Sequence, residues 1–191
     1  MPTWEWILIA VSILIVVAVL AIAAKVVSSR RKTNRLKQHY GREYERLVSR
    51  AGDRNAAEQK LTARERERNK LDIVPLTPSA LSDFSARWQQ VQTGFVDDPA
   101  TAVGVADRLV TEVMRERGYP VDDFERRAAD ISVDHPDVVD NYRAAHGIHL
   151  RGDVSTEEQR EAFVHYRALF EKLLETTTND DAHRRRAHDH A

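Results

Sequence analysis

Hydrophobic positions fall into three regimes along this chain, and each predicts a different kind of element. From Trp6 to Ala24 every residue but Ser12 is apolar, and Lys25 follows at once. Nineteen helical residues at ~1.5 Å rise cover roughly 28 Å, close to the ~30 Å hydrocarbon core of a bilayer. The run therefore predicts a transmembrane helix over residues 6–27. A cleaved signal peptide competes for the same residues, because Ala21-Ile22-Ala23 has the small-x-small form of a cleavage site. Such signals carry a basic leading segment and an apolar stretch of roughly 7–15 residues. No Lys or Arg precedes this longer run, which favours an uncleaved anchor.

The second regime is sparser. Leu36, Tyr40, Tyr44, Leu47 and Ala51 recur at spacings of three and four, and no proline lies between Ser28 and Asp72, so one face of a helical stalk is predicted over 28–74. Gly41 and Gly52 are its weak points. Alternatively Gly52-Asp53 is a turn, with Asp53 capping a second helix that contains Ala57 and Leu61. Thr62 to Lys70 is too charged for a core and reads as a solvated helix with local ion pairs. The apolar register lapses at Arg64 and Arg68, which disfavours a coiled-coil dimer.

The third regime begins at Pro75-Leu76-Thr77-Pro78, where each proline pushes its predecessor out of helical geometry. Leu81, Phe84, Trp88, Val91 and Phe95 form a three-four stripe. Asp98-Pro99 reads as N-cap and first helical residue of a helix burying Val103, Ala106, Val110 and Val113, closed by Gly118 and Pro120. Phe124, Ala128 and Ile131 follow Asp122-Asp123. Asp134-His135-Pro136 reads as the start of a helix burying Val139, Tyr142 and Ala145. Ser155-Thr-Glu-Glu158 has capping-box spacing and opens a helix presenting Phe163, Tyr166, Phe170, Leu173 and Leu174. The predicted fold is all-α: one N-terminal transmembrane helix, a basic helical stalk, and a bundle of about five helices within 75–175. Residues 176–191 lack apolar periodicity and read as a disordered tail.

Charge adds direction to this outline. Between Lys25 and Arg42 lie seven basic residues and no acidic one, whereas Glu5 is the only charge before the span. The positive-inside rule then places residues 1–5 outside and the bulk of the chain in the cytoplasm, with no outer sensing domain. Trp4 and Trp6 fit the outer interface, and Lys25 can snorkel from the inner end. The overall net charge is −1, but residues 25–72 carry +8 and residues 73–191 carry −8. Arg30, Arg31, Lys32, Arg35 and Lys37 can thus meet anionic lipid headgroups, or serve only as the flank that stops transfer. The acidic distal domain argues against nucleic acid as a partner. No cysteine is present, which excludes disulfides, thiolate metal sites and cysteine nucleophiles.

Candidate chemistry is thin. A di-iron bundle needs Glu-x-x-His pairs, and none of the histidines has that partner. His146 and His149, with His135 and Asp153 near in sequence, offer a zinc-type donor set, but Gly147 is expected to end or fray their helix. Asp134-His135 lacks a nucleophile elbow, and helix capping explains it more simply. No phosphate loop, dinucleotide fingerprint or zinc-protease helix occurs. Trp88, Tyr119 and Tyr142 are read mainly as core.

The strings Phe95-Val-Asp-Asp-Pro99, Arg117-Gly-Tyr-Pro-Val121, Ser132-Val-Asp-His-Pro136, Tyr142-Arg-Ala-Ala-His146 and Ser155-Thr-Glu-Glu158 together resemble a family of bacterial membrane-anchored proteins without an assigned activity. The resemblance extends over Tyr40 to Leu174 and implies a bacterial plasma-membrane setting. It brings no catalytic residues. The functional expectation is a non-enzymatic, single-pass protein without a cofactor. Its cytoplasmic helical domain would bind another protein or itself at the inner membrane face. The alternatives are a membrane-tethered metal-dependent enzyme using His135, His146 and His149, and an anionic-lipid or envelope-stress module acting through the basic stalk.

Overall fold

The computed structural model describes the backbone of residues 3–188 and the side chains of residues 14–175. Among the described residues the chain is all-helical, with eight helices and no strand: α1 (Thr3–Tyr40), α2 (Arg42–Ala51), α3 (Arg54–Arg68), α4 (Pro78–Gly94), α5 (Pro99–Glu116), α6 (Phe124–Asp134), α7 (Val139–Arg151) and α8 (Thr156–His188).

Helices α4–α8 form a bundle in which α8 packs along both α5 and α7, and α4 lies against α5. The three-four stripes read from the sequence become its core. Ala106, Val110 and Val113 of α5, Tyr142 and Ala145 of α7, and Tyr166 and Leu169 of α8 are all completely buried. The Trp88 indole stacks on Phe163 and Phe170, with ring centroids 5.2 and 4.5 Å apart. Helix starts follow local chemistry. Thr77 accepts from the Ala80 amide, Asp98 from Thr101 and Asp123 from Arg126, so each start satisfies an otherwise free donor. The Ser155–Glu158 capping box closes reciprocally, with Ser155 N donating to Glu158 Oε2 at 2.9 Å and Glu158 N to Ser155 Oγ at 3.3 Å.

The segment expected to be a stalk folds back on itself. Gly41 (φ 49°) separates α1 from α2, and Gly52 (φ 67°) ends α2 in left-handed geometry. Asp53 then caps α3 by accepting from the Ala56 amide at 2.9 Å. Both glycines lie where a Cβ would strain the backbone. Leu36, Tyr40, Tyr44, Leu47, Ala57 and Leu61 meet as a second, smaller core that is separate from that of the bundle. Through α3 this small unit rests on α6. The α3–α4 connection is pinned as well, because Val74 N donates to the Arg117 carbonyl at 2.9 Å and Gly118 lies directly under the Asp72 carbonyl.

Two helix boundaries differ from the sequence expectation. Asp134 ends α6 instead of opening α7, and α7 begins at Val139 without a side-chain cap. The carboxylate that fitted a cap is taken by Arg68, at 2.7 Å, and by the Tyr119 hydroxyl. Gly147 does not end α7, which continues to Arg151, since Tyr142, Ala145 and Ile148 anchor the helix on both sides of it.

The predicted transmembrane helix is not supported among the described residues, where no helix is long and apolar enough to cross a membrane. The side chains of Trp6 to Ile13 lie outside the described residues, as does that of Trp4. What is described, Leu14 to Ala24, is eleven residues, or ~16 Å of helix, before Lys25 interrupts it. The tail read from Thr176 onward also lies outside the described side chains.

Candidate functional site

The three histidines considered as metal ligands are not brought together. His146 and His149 share the face of α7 that meets α5: His146 Nδ1 lies 3.9 Å from Asp107 Oδ1, and His149 Cε1 sits 3.5 Å from where a Cβ on Gly104 would be. His135 caps the end of α6, buried beside Arg117 and Lys172. Among the described residues no group of three or more His, Asp or Glu is arranged to hold a metal. Asp107 instead belongs to a polar insert in the core. The Tyr166 hydroxyl donates to it at 2.8 Å, and Phe124 stacks on the His146 ring at 3.7 Å. Burial pushes the Asp107 carboxyl up, but His146 and Tyr166 outweigh this and hold it below the usual range.

The basic residues of α1 divide into two sets. Lys25, Arg30, Arg31 and Lys32 are exposed, and none pairs with a carboxylate among the described residues. Arg35 is committed to Glu65 of α3 at 2.8 Å, while Lys37 lies 3.7 Å from Glu45 and over the Tyr44 ring at 5.3 Å. Arg35 therefore braces the small unit. An open cleft of about 580 Å³ lies beside this face of α1, bounded on its far side by Arg54 and Asn55 at the start of α3. Arg54 was not a sequence candidate, since only the α2–α3 fold returns it to the side of Arg30.

A denser polar cluster joins the small unit to the bundle. Glu43 on α2 is 1 % exposed and receives Arg143 Nη1 and Nη2 from α7 at 2.6 and 3.0 Å, together with Arg64 Nη1 from α3 at 2.8 Å. Arg46 lies 3.6 Å from Asp140, Arg68 binds Asp134, and His39 Nε2 donates to the Val133 carbonyl at 2.8 Å. Burial alone would raise the Glu43 carboxyl, but the two guanidiniums bonded to it outweigh that and lower it. Glu43 stays charged because two or more cations surround it in a dry place. None of these partnerships was legible in the sequence, where Glu43 is one acidic residue in a mixed-charge helix.

Trp88, Tyr119 and Tyr142 are all buried, as core residues. An open groove of about 400 Å³ runs between α4 and α5, with Val91, Val105 and Leu109 at its base and Arg87 and Asp98 at its rim. Comparison with known protein families, with curated proteins and with solved structures finds no match for this chain.

Proposed function

We propose that this chain is a single-pass membrane protein that holds a small helical interaction domain at the inner face of the plasma membrane. One observation carries the reading. Leu14, Ile15, Val16 and Val17 are consecutive and each more than half exposed, and Val19, Leu20 and Ile22 continue the pattern. Consecutive helical residues point ~100° apart, so these side chains surround α1 on every side. A helix that is apolar all round belongs inside protein or lipid, and no described part of the chain covers this one. With Trp6 to Ile13, seven apolar residues and Ser12, the run reaches the length of a bilayer core.

The helix that would leave the bilayer is the same helix that enters the small core at Leu36 and Tyr40. From Ala24 to Leu36 is ~18 Å of unbroken helix, so the domain would be held close to the membrane in one orientation. Its own net charge is negative beyond residue 72, which keeps it off an anionic surface while the basic residues of α1 face that surface. Tethering of this kind raises local concentration for a protein partner or a second copy.

Fractionation of cells producing the full chain tests the reading. The protein is expected in the membrane pellet after an alkaline carbonate wash, and crosslinking in native membranes is expected to capture a discrete partner or a dimer. Release by carbonate would remove the anchor. A carbonate-resistant chain that crosslinks to nothing would remove the interaction role.

A further inference from the structure

The cleft between α1 and the start of α3 is unusual in its lining. Its walls are Ser29, Arg30, Thr33, Asn34 and Lys37 from α1, with Arg54 and Asn55 from α3, so every lining residue is polar, three are cations and none is acidic. Two carboxylates border it and are already engaged. Glu58 accepts the Thr33 and Tyr44 hydroxyls at 2.8 and 3.0 Å, and Glu45 lies 3.7 Å from Lys37. Arg30 and Arg54 have no carboxylate partner among the described residues.

Depth matters as much as charge. Arg30 lies five residues below Lys25, or ~8 Å along the helix, and the headgroup layer on each side of a bilayer is ~5–8 Å thick. The α2–α3 fold brings Arg54 to the same cleft as Arg30, so a second helix contributes a cation to it. A guanidinium presents a planar fork of donors that matches the oxygens of a phosphate, and hydroxyl and amide groups satisfy the remaining oxygens.

We propose that this cleft holds the phosphate of an anionic phospholipid headgroup, with Arg30 and Arg54 converging on it and Ser29, Asn34 and Asn55 donating hydrogen bonds, while Lys37, ~18 Å along the helix from Lys25 and beside Glu45, lies too far from the bilayer to share it. The proposal rests on the membrane anchor proposed above. It narrows the basic segment from a diffuse attraction to one site. Arg35, bonded to Glu65, contributes nothing to it, while Arg31 and Lys32 lie outside the cleft.

The test uses the full chain in neutral phosphatidylcholine vesicles doped with labelled phosphatidylglycerol, and reads flotation of the protein and retention of the labelled lipid after purification. A cleft variant (R30Q and R54Q together) is compared with a variant losing the same charge outside the cleft (R31Q and K32Q together). Lipid retention is expected to fall about tenfold or more in the cleft variant and less than about twofold in the other. Equal losses in the two would overturn the site in favour of diffuse attraction. Failure of the wild-type chain to float with undoped vesicles would overturn the anchor, a result distinguishable from loss of lipid selectivity in a chain that floats. Inorganic phosphate, added to the doped vesicles, is expected to leave the labelled lipid in place; full displacement would assign the cleft to free phosphate and overturn the lipid reading.

Discussion

Arg143 on α7 grips Glu43 on α2 with two hydrogen bonds, at 2.6 and 3.0 Å, across 100 residues of chain. Around this pair the small α1–α3 unit meets the bundle through charge, with each body keeping its own apolar core. Removing one member of a buried pair leaves the other charged and dry, which costs about 3–5 kcal/mol. Glu43→Ala and Arg143→Ala are each expected to destabilise the full chain by that amount in chemical denaturation. The double variant is expected to lose less than the sum, because the orphaned charge is then absent. Additive losses would mean that the pair does not hold the two bodies together.

The Trp88 indole lies flat against Phe170 and Phe163 and is 5 % exposed. Trp88→Ala is expected to destabilise the bundle by about 3–5 kcal/mol, since the cavity cannot collapse between the Phe163 and Phe170 rings. Thermal unfolding followed by circular dichroism measures this.

Gly118 has φ 95°, and a Cβ there would sit 2.5 Å from the Asp72 carbonyl oxygen. Gly118→Ala is expected to cost more than about 1 kcal/mol, through backbone strain and through displacement of the α3–α4 connection. Ala at Gly147, which lies inside α7 with open space around it, is expected to be neutral or stabilising by up to about 1 kcal/mol. The opposite signs of the two substitutions are the readout.

His135 is 3 % exposed, and burial drives its pKa down from 6.5 to about 4, with Asp134 and Asp137 pulling it up and Arg117 and Lys172 pushing it down. Between pH 6.5 and 4 the unfolded chain takes up a proton that the folded chain refuses. Stability is therefore full above pH 6.5 and declines on acidification through this window, by on the order of 3 kcal/mol at pH 4. His135→Gln is expected to flatten the decline between pH 6.5 and 5. Glu43 and Asp107, both lowered, add their own losses only further down, through the carboxylate range, while the raised Asp130 opposes them. An unchanged slope in the variant would contradict the assignment.

Local signals carried most of the bundle. The Asp98-Pro99 start, the Ser155–Glu158 box and the stripe from Phe84 to Val91 depend on neighbours within one or two turns, and each element lies where its spacing predicts. Asp134 misled because a short carboxylate before His-Pro suits a helix start, whereas Arg68 and Tyr119, distant in sequence, claim it. The folding back of the stalk was half legible in Gly41, Gly52 and Asp53. Its docking was not, because the Glu43–Arg143 pair has no periodicity and each residue alone resembles an ordinary surface charge. The same holds for Arg54, which joins Arg30 only after α2 and α3 have folded.

The absence of native cysteine makes the central claim directly measurable by single-cysteine labelling in intact bacterial cells. Thr3→Cys and Val96→Cys chains, the latter at a site 83 % exposed in the α4–α5 connection, are treated with a membrane-impermeant maleimide. The Thr3→Cys chain is expected to label in intact cells, and the Val96→Cys chain only after the membrane is opened. Labelling of Val96→Cys in intact cells, or protection of both sites, would contradict an anchor that holds the helical domain at the inner face.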